Sequence, residues 1–274
     1  MSVVIKKQDN NGTALITGGS SGIGYSIANE LALRGYNLIL ASNQETKLQQ
    51  VCVEISAKYK VKTWPVFIDL ALPNAAFKLY KRCKNEQIQV DILVNNAGVF
   101  LFGEIVETSY EKAQQILTLH TSTPALLCNL FGQDMKKRHN GHILNISSIS
   151  AFMPYPGIGF YSATKRFLKS FSRSLRTEMT DYNVNVTCAF PGAVSTELYQ
   201  LEDAARKKAL NSGIMMTSDK LAHLAVNAMF KRKSSIVPGL INRFFLIFTF
   251  LIPQGIILLI RRHSKLLPPE KNKS

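Results

Sequence analysis

The sequence predicts an α/β protein in which helices cover both faces of one doubly wound parallel sheet of about seven strands. Short apolar segments alternate with longer amphipathic ones along the chain, and this alternation is typical of parallel strands joined by crossover helices. The 274 residues are 46% hydrophobic, enough for one sizeable core. The simplest division is a single domain over 1–238, followed by an apolar and basic extension over 239–274.

The predicted strands are short runs rich in aliphatic and β-branched residues, with turn-forming residues at their ends. They lie at 13–17, 37–41, 62–69, 91–95, 141–147, 184–190 and 234–237. Amphipathic periodicity predicts the helices between them. These lie at 23–34, 44–59, 74–87, 107–137, 159–180 and 217–231. Ligands bind at the carboxyl ends of the strands in such sheets, so polar residues there are candidate site residues.

A glycine-rich turn joins the first predicted strand to the first helix. Residues 18–24 read Gly-Gly-Ser-Ser-Gly-Ile-Gly. Glycines let backbone N–H groups approach a pyrophosphate, and the helix N-terminus behind them adds positive partial charge. The glycine spacing differs from the usual dinucleotide fingerprint Gly-x-Gly-x-x-Gly, so a plain tight turn remains the alternative.

Tyr161 and Lys165 are one turn apart in the predicted helix 159–180. Side chains at this spacing share a helix face, and a neighbouring ammonium lowers the pKa of a phenol from its ordinary value near ~10. Ser148 precedes Tyr161 by thirteen positions and follows a predicted buried strand, so its hydroxyl is expected at the carboxyl edge of the sheet. The pair therefore favours acid/base chemistry, although a core tyrosine beside a solvated lysine is the alternative.

Two further motifs complete a pattern that resembles the short-chain dehydrogenase/reductase family over about residues 12–237. They are Asn95-Asn96-Ala97-Gly98 and the run Pro-Gly-Ala-Val-Ser-Thr at 191–196. The resemblance implies a Rossmann-like fold and an NAD(P)-dependent enzyme acting on CH–OH groups, which interconverts a carbonyl and an alcohol by hydride transfer without a metal.

The resemblance also implies roles for individual residues. Tyr161 is expected to exchange a proton with the substrate oxygen, Ser148 to bind that oxygen, and Lys165 to bond the nicotinamide ribose. The glycine turn is expected at the phosphates, Asp69 at the adenine and 191–196 at the nicotinamide. The predicted cofactor-binding residues are Gly18, Ser20, Ser21, Gly22, Ile23, Gly24, Ser42, Asn43, Asp69, Leu70, Asn95, Ala97, Gly98, Tyr161, Lys165, Pro191, Gly192, Val194 and Thr196.

One position departs from the family pattern, because His120 stands where the family usually carries a proton-relay asparagine. A histidine can donate, accept and hold a water, so His120 is predicted as a fourth catalytic residue that adds pH dependence near its reference pKa of about 6.5. One alternative is that His120 fills a satisfied polar slot. Two alternatives concern the function of the whole protein. It could be a non-catalytic dinucleotide-binding sensor or scaffold, in which the change to His120 signals lost catalysis, or it could catalyse another reaction on the same fold, such as epimerisation.

The residues after the second strand favour NADP over NAD. An acidic residue there binds the ribose 2′-hydroxyl of NAD, whereas an arginine accommodates the 2′-phosphate of NADP. This chain has Ser42, Asn43 and Gln44, with Lys47 one turn further on. Ser42, Asn43 and Gln44 carry no carboxylate that would repel the 2′-phosphate. Asn43 replaces the arginine that related reductases tend to carry, which leaves NAD open as a second cofactor.

The resemblance places a substrate lid at about 196–217. Apolar residues there and after Ser148 predict a lipophilic carbonyl or alcohol substrate, such as an acyl or steroid-like ketone, although simple packing of the loop is the alternative. The residues are Phe152, Met153, Tyr155, Leu198, Tyr199, Leu201, Ile214, Met215 and Met216.

The extension contains an apolar stretch at 239–260. Its charge-free part, 244–260, has 17 residues, the lower limit for a membrane span, and 253–255 reads Pro-Gln-Gly. The net charge of +15 and the basic groups beside the stretch favour peripheral contact with an anionic membrane through 239–262. Burial against protein and a full span are the alternatives.

Partners and location follow from the remaining composition. The basic residues are dispersed without a nucleic-acid-reading motif, so nucleic acid is not expected. Residues 1–11 lack the apolar stretch of a secretory signal, and the four cysteines show no zinc or disulfide spacing. A cytoplasmic location is predicted, membrane-associated on the cytoplasmic face if the extension binds lipid. The resemblance implies a homodimer or homotetramer formed through the helices at 107–137 and 159–180.

Overall fold

The structure is a computed structural model that describes residues 12–153, 156–196, 203–249 and 255. Its strands agree with the predicted ones to within one or two residues at most ends, and a short pair at 193–195 and 215–217 is additional. The strands are β1 (Thr13–Thr17), β2 (Asn37–Ser42), β3 (Thr63–Phe67), β4 (Ile92–Asn95), β5 (Gly141–Ile146), β6 (Val184–Ala189), β7 (Ala193–Ser195), β8 (Met215–Thr217) and β9 (Ser235–Ile236).

Seven of these strands form one sheet in the order β3-β2-β1-β4-β5-β6-β9, and all its pairings are parallel. The predicted fold class is thereby confirmed. The sheet grows outward in both directions from β1 and β4, which pair with each other. This reversal opens a crevice at their carboxyl ends, where open α/β sheets bind ligands. Pro65 is tolerated in β3 because that strand is at the edge of the sheet.

Helices connect the strands, and most agree with the predicted segments. They are α1 (Gly22–Leu33), α2 (Glu45–Tyr59), α3 (Ala75–Asn85), α4 (Tyr110–Leu117), α5 (Thr123–Arg138), α6 (Gly159–Met179), α7 (Asp203–Asn211), α8 (Ser218–Phe230) and α9 (Leu240–Thr249). Side-chain caps begin two of them, since Ser109 accepts from the Lys112 N–H and Thr217 from the Lys220 N–H. The segments that form α7 and α9 were not predicted as helices.

The core lies on both faces of the sheet because each central strand is buried on both sides. In β1, Ala14 and Ile16 pack with α1, α2 and α8 on one face. Leu15, between them, packs with α3 and α5 on the other face. This alternation explains why the strands read as continuous apolar runs in the sequence.

The helix predicted at 107–137 is interrupted, which corrects the sequence interpretation. A π-helical turn, Thr118–Ser122, separates α4 from α5. The hydrogen-bond period widens there while the backbone dihedrals stay helical, so the chain continues without a break in direction. The turn carries His120, which is buried.

The predicted lid contains regular structure that sequence periodicity missed. β7 pairs with β8 in a two-stranded parallel sheet, and α7 lies between them in the chain. The predicted lid residues Leu198, Tyr199 and Leu201, together with Tyr155, lie outside the described residues. So does most of the apolar extension after Thr249. Within the described part, no helix has the length and apolar character that a membrane crossing requires.

Candidate active site

The carboxyl ends of β1 and β4 are joined by a threonine hydroxyl. Thr17 Oγ1 donates to the Val94 carbonyl at 3.2 Å and accepts from the backbone N–H groups of Asn96 and Ala97 at 2.9 and 3.1 Å. Asn96 Nδ2 in turn donates to the Thr17 carbonyl at 3.0 Å. These bonds hold the Asn-Asn-Ala-Gly segment against the end of β1, beside the glycine turn.

The glycine turn has the geometry that a phosphate cradle requires. Gly18 has a φ of +67°, a conformation that other residues adopt only with strain. A Cβ on Gly24 would collide with the Gly18 carbonyl oxygen, so α1 packs directly on the turn. The Ser21 side chain does not cap α1. The N-terminal N–H groups of α1 therefore face the crevice with their positive partial charge.

A groove of about 400 Å³ runs over the crevice, from the glycine turn to the ends of β2 and β3. It brings together most of the residues predicted to bind the cofactor's adenosine and phosphates. Those on its surface are Gly18, Ser20, Ser21, Gly22, Ile23, Ser42, Asn43, Asp69, Leu70, Ala97 and Gly98. Thr196, predicted at the nicotinamide end, also lines the groove. The glycine turn and the hydroxyl and amide side chains on its surface suit the phosphates and adenosine of a dinucleotide.

Three polar side chains form a small network at the ribose end of the groove. Ser20 Oγ lies 2.8 Å from Ser42 Oγ and donates to Gln44 Oε1 at 3.1 Å. The Gln44 backbone N–H donates to Ser42 Oγ at 3.1 Å. Asn43 is exposed beside this network. The surface next to the predicted ribose position is therefore neutral and rich in hydrogen-bonding groups.

A smaller cavity of about 60 Å³ lies at the other end of the crevice and contains the predicted catalytic residues. Ser148, Tyr161, Lys165 and His120 all line it, and all four are buried. The predicted nicotinamide-end residues share its surface. These are Pro191, Gly192, Val194 and Thr196. Ile23, predicted at the phosphates, and Gly98, predicted beside the adenosine ribose, line the same cavity. The cavity thus brings together residues that are distant in the sequence, such as Ile23 and Thr196, which are 173 positions apart.

Lys165 is fixed between the end of β5 and the phenol of Tyr161. Its Nζ donates to the Ile146 carbonyl at 3.1 Å and lies 5.6 Å from the centre of the Tyr161 ring. Burial lowers the pKa of Lys165 from 10.5 to about 8. Ser147 Oγ donates to the Lys165 carbonyl at 2.8 Å, which ties α6 to the strand that precedes Ser148.

Ser148 and Tyr161 are each oriented by local contacts. Ser148 Oγ accepts the Ser150 N–H at 3.2 Å, at the start of the 3₁₀ helix Ile149–Phe152. The Tyr161 ring packs edge-on against Phe100, with the ring centres 5.2 Å apart. Ser148 and Tyr161 therefore line one cavity from two different elements.

His120 occupies both of its ring nitrogens in hydrogen bonds. Nε2 accepts the Val99 N–H at 3.0 Å, and Nδ1 lies 3.1 Å from Thr164 Oγ1. Burial and the nearby Lys165 charge lower the pKa of His120 well below 6.5. The expectation of pH dependence near 6.5 is therefore wrong, because a desolvated imidazole beside a cation stays neutral.

Sequence reasoning missed several residues that line the site. Asn96, Val99 and Ile68 lie beside predicted residues, so the motifs themselves pointed to their neighbourhood. Gln115 and Leu119 come from α4 and the π turn, where nothing in the sequence pattern marked them. Asn95 lines neither of the two cavities described above. Its Nδ2 donates to Asn145 Oδ1 at 2.8 Å in the buried layer behind the site.

Comparison with known proteins agrees with this geometry. A family model described as short chain dehydrogenase matches residues 12–207. The very-long-chain 3-oxoacyl-CoA reductase of Bos taurus is 34% identical over 196 residues, which are 69% of this chain. The match covers 61% of the bovine protein, less than two thirds of its length.

Two solved structures extend the comparison to the fold. The short-chain dehydrogenase from Sphingobium yanoikuyae in complex with NADPH has a TM-score of 0.76 at 27% identity, and the match covers 92% of this chain and 98% of that one. L-Sorbose reductase from Gluconobacter frateurii, complexed with NADPH and L-sorbose, has a TM-score of 0.75 at 27% identity, with 85% and 97% covered.

A groove beside a glycine turn, next to a buried serine, tyrosine and lysine, is typical of one class of protein, the doubly wound oxidoreductases that use a nicotinamide cofactor. The match over 12–207 then narrows the class. This chain belongs to the short chain dehydrogenase family.

Proposed function

We propose that this protein is an NADP(H)-dependent oxidoreductase that interconverts a carbonyl and an alcohol on a lipophilic substrate. The observation that carries the proposal is the single small cavity shared by Ser148, Tyr161 and Lys165 at the end of the dinucleotide groove. A binding-only protein would not require a buried lysine beside a buried tyrosine in that cavity.

The cofactor fits the residues present, since the glycine turn and the N-terminus of α1 form the phosphate cradle. When bound, the nicotinamide supplies or accepts a hydride. Ser148 Oγ binds the substrate oxygen and orients the carbonyl. Tyr161 donates its phenolic proton to that oxygen during reduction and takes it back during oxidation. The Lys165 ammonium stabilises the phenolate that forms.

NADP(H) is the cofactor that the ribose end of the groove favours. Ser20, Ser42 and Gln44 offer hydroxyl and amide groups there, and neither these nor Asn43 carries a charge that repels a phosphate. The two solved relatives named above hold NADPH. Their example supports the same choice here, and NAD remains a second, weaker cofactor in this proposal.

We propose a lipophilic substrate because Phe100, which contacts Tyr161, begins a segment with several exposed apolar side chains. Phe100 contacts the Tyr161 ring, and Phe102, Ile105 and Val106 are exposed in the segment that follows. The Gly103 N–H donates to the Gly157 carbonyl at 2.8 Å, which holds this segment beside the start of α6. The similarity to a very-long-chain 3-oxoacyl-CoA reductase points in the same direction. We propose the lid at 196–217 as the other wall.

A peripheral membrane contact through the extension is also part of the proposal. In α9, Ile241, Arg243 and Phe244 are exposed. This mixture of apolar and basic side chains suits an anionic lipid surface. Asn242 of the same helix lies against Gly192 at the nicotinamide end of the site. A membrane bound through α9 would therefore be close to the substrate cavity, which is useful for a lipophilic substrate.

Turnover with a graded series of carbonyl compounds tests the proposal. Purified protein is mixed with NADPH or NADH and with ketones that range from short alkyl to long acyl and steroid compounds. We expect oxidation of NADPH that increases with substrate apolarity and exceeds that of NADH. Tyr161→Phe should lower kcat by about 100- to 10,000-fold, because the proton donor is lost while the ring remains.

Tyr182→Phe is the matched control, since Tyr182 is in a short turn after α6 and outside both cavities. Its activity should equal that of the wild type. Full activity in Tyr161→Phe would contradict the proposed role of the phenol.

A further inference from the structure

The π-helical turn between α4 and α5 places an imidazole between two separate parts of the site. His120 lies in this turn, and its Nε2 accepts the Val99 N–H at 3.0 Å. A backbone N–H can only donate, so Nε2 holds a lone pair. A neutral imidazole then carries its proton on Nδ1, which lies 3.1 Å from Thr164 Oγ1. Nδ1–H is therefore the donor to the Thr164 hydroxyl.

Thr164 continues this chain of bonds to the catalytic helix. Its Oγ1 accepts from His120 and donates to the Tyr161 carbonyl at 2.8 Å. The bonds thus run in one direction, from the Val99 N–H through the imidazole and the threonine hydroxyl to the backbone of Tyr161. Every member of the chain is buried or half-buried, so water competes weakly for these bonds.

We propose that His120 is a positioning residue, which as the neutral Nδ1–H tautomer braces the Gly98–Val99 wall of the catalytic cavity against α6. This inference rests on the proposed oxidoreductase function and goes beyond it, because it assigns the histidine a fixed tautomer and no proton transfer. Both ring nitrogens are engaged, so moving a proton through the ring would break one of the two bonds.

The geometry explains why this brace affects the chemistry. Val99 and Gly98 line both the dinucleotide groove and the catalytic cavity. A Cβ on Gly98 would lie 2.8 Å from His120 Nε2, so the ring sits directly on this wall. The same ring contacts Tyr161 edge-on, with the centres 5.7 Å apart. Loss of the imidazole would let the cofactor wall and the phenol shift relative to each other.

Two substitutions each preserve one half of the brace. An asparagine amide nitrogen overlays Nδ1 of histidine, so His120→Asn keeps the donor to Thr164. A glutamine side-chain amide overlays Nε2, so His120→Gln keeps an acceptor for Val99. His120→Ala removes both. We expect kcat to fall by about 10- to 100-fold in His120→Ala and by less in the two amide variants, with little change in the Kd for NADPH.

Neither amide titrates, so the amide variants separate positioning from proton transfer. Activity in both no better than in His120→Ala would overturn the proposal. Thr164→Val breaks the same brace from the α6 side and should also lower kcat, while Thr164→Ser should recover it. Thr177→Val is the matched control, because Thr177 makes a comparable bond to the Arg173 carbonyl on the exposed part of α6.

The tautomer itself can be observed in the full-length protein with NADPH bound. The chain has five histidines, so ¹⁵N-edited imidazole spectra are simple, and His120→Gln assigns the signal. We expect a neutral ring protonated on Nδ1 throughout pH 6 to 8. A proton on Nε2, or a doubly protonated ring in this range, would overturn the proposal. This readout does not depend on turnover. Failure of the proposed function would instead appear as full activity in Tyr161→Phe, or as NADPH binding without turnover in the wild type.

Discussion

Lys165 brings a positive charge into a buried site that offers it one backbone acceptor, the Ile146 carbonyl, among its described bonds. Desolvation disfavours the ammonium and lowers its pKa to about 8. The residue stays charged at neutral pH, where it can stabilise a Tyr161 phenolate and bond a ribose hydroxyl. Active sites often hold such destabilising groups because their function requires them.

Replacing this lysine should stabilise the fold while removing activity. The folded pKa of about 8 lies below the ordinary 10.5, so the unfolded chain binds more protons between these values, and wild-type stability rises with pH through that window. Below pH 8 Lys165 is charged in the folded protein as well, and the cost of burying its ammonium lowers the free energy of unfolding by its full amount. Lys165→Met should therefore raise the free energy of unfolding at pH 7 by about 1 to 3 kcal/mol, and this advantage should disappear by about pH 10.5.

Urea unfolding at pH 7 and at pH 10 measures this difference. Lys169→Met on the same helix is the control, because Lys169 is only half-buried, whereas Lys165 is buried. The free energy of unfolding of Lys169→Met at pH 7 should be close to that of the wild type. A Lys165→Met protein no more stable than the wild type at pH 7 would contradict the account of the buried charge.

Asn43 should decide how strongly the enzyme prefers NADP(H). It is exposed next to the Ser20, Ser42 and Gln44 network. Asn43→Arg adds a charge-assisted bond to the 2′-phosphate and should raise the NADPH:NADH ratio of kcat/KM by about 10- to 100-fold. Asn43→Asp should lower that ratio through repulsion. Gln49→Arg, exposed on α2 outside the groove, is the matched control and should leave the ratio unchanged.

At the level of elements, the sequence predicted most helices but missed the π turn at 118–122. A π turn has the same apolar periodicity on either side and needs no glycine or proline, so composition does not mark it. Its consequence is large, since His120 and Leu119 enter the site from it. Regular helices and strands could be predicted because their pattern is local. The π turn carries His120, whose bonds to Val99 and Thr164 join positions distant in the sequence, and local periodicity does not report such contacts.

Helix α9 is the element that should mediate membrane contact. Ile241 and Phe244 are 53% and 64% exposed, which is unfavourable for apolar side chains in water unless they meet a partner. Ile241→Glu together with Phe244→Glu should reduce cosedimentation with anionic phosphatidylserine vesicles by about tenfold or more, because the substitutions remove apolar contact and add repulsion.

Val53→Glu together with Phe77→Glu is the matched control, since these residues are 70% and 50% exposed on α2 and α3. Binding of this control variant to the vesicles should fall only slightly, because the added glutamates are repelled by the anionic lipid. Unchanged sedimentation of the α9 variant would exclude these two residues as a membrane contact. The pellet fraction with neutral vesicles separates the electrostatic part from the apolar part.

For the whole molecule, the sequence predicted the parallel sheet and most of the site because the motifs fall at strand ends. Thr17, Asn95 and Ser147 each follow or end a buried strand, and parallel order brings those ends to one edge. The bonds that connect these ends could not be predicted in this way. The Thr17 and Asn96 contacts depend on backbone positions that only the assembled fold provides.

Assembly into a homodimer or homotetramer remains a prediction for the whole molecule. Leu117, Leu126 and Phe167 are 40% to 51% exposed on α4, α5 and α6, the helices expected at the interface. Leu126→Lys with Phe167→Lys should shift the protein to a monomer in sedimentation velocity, because lysines desolvated in an apolar interface are unfavourable. Val53→Lys should keep the assembly. A wild-type monomer would contradict the prediction.

We propose that the buried Ser148, Tyr161 and Lys165 cluster binds the substrate oxygen and supplies its proton while a nicotinamide transfers a hydride. The most direct test is to follow the label from NADPH deuterated at the transferable position into the alcohol product of a long-chain ketone. We expect deuterium on the carbinol carbon with wild-type protein and almost none with Tyr161→Phe. Stoichiometric NADPH binding with no label in any product would contradict it and favour a dinucleotide-binding sensor.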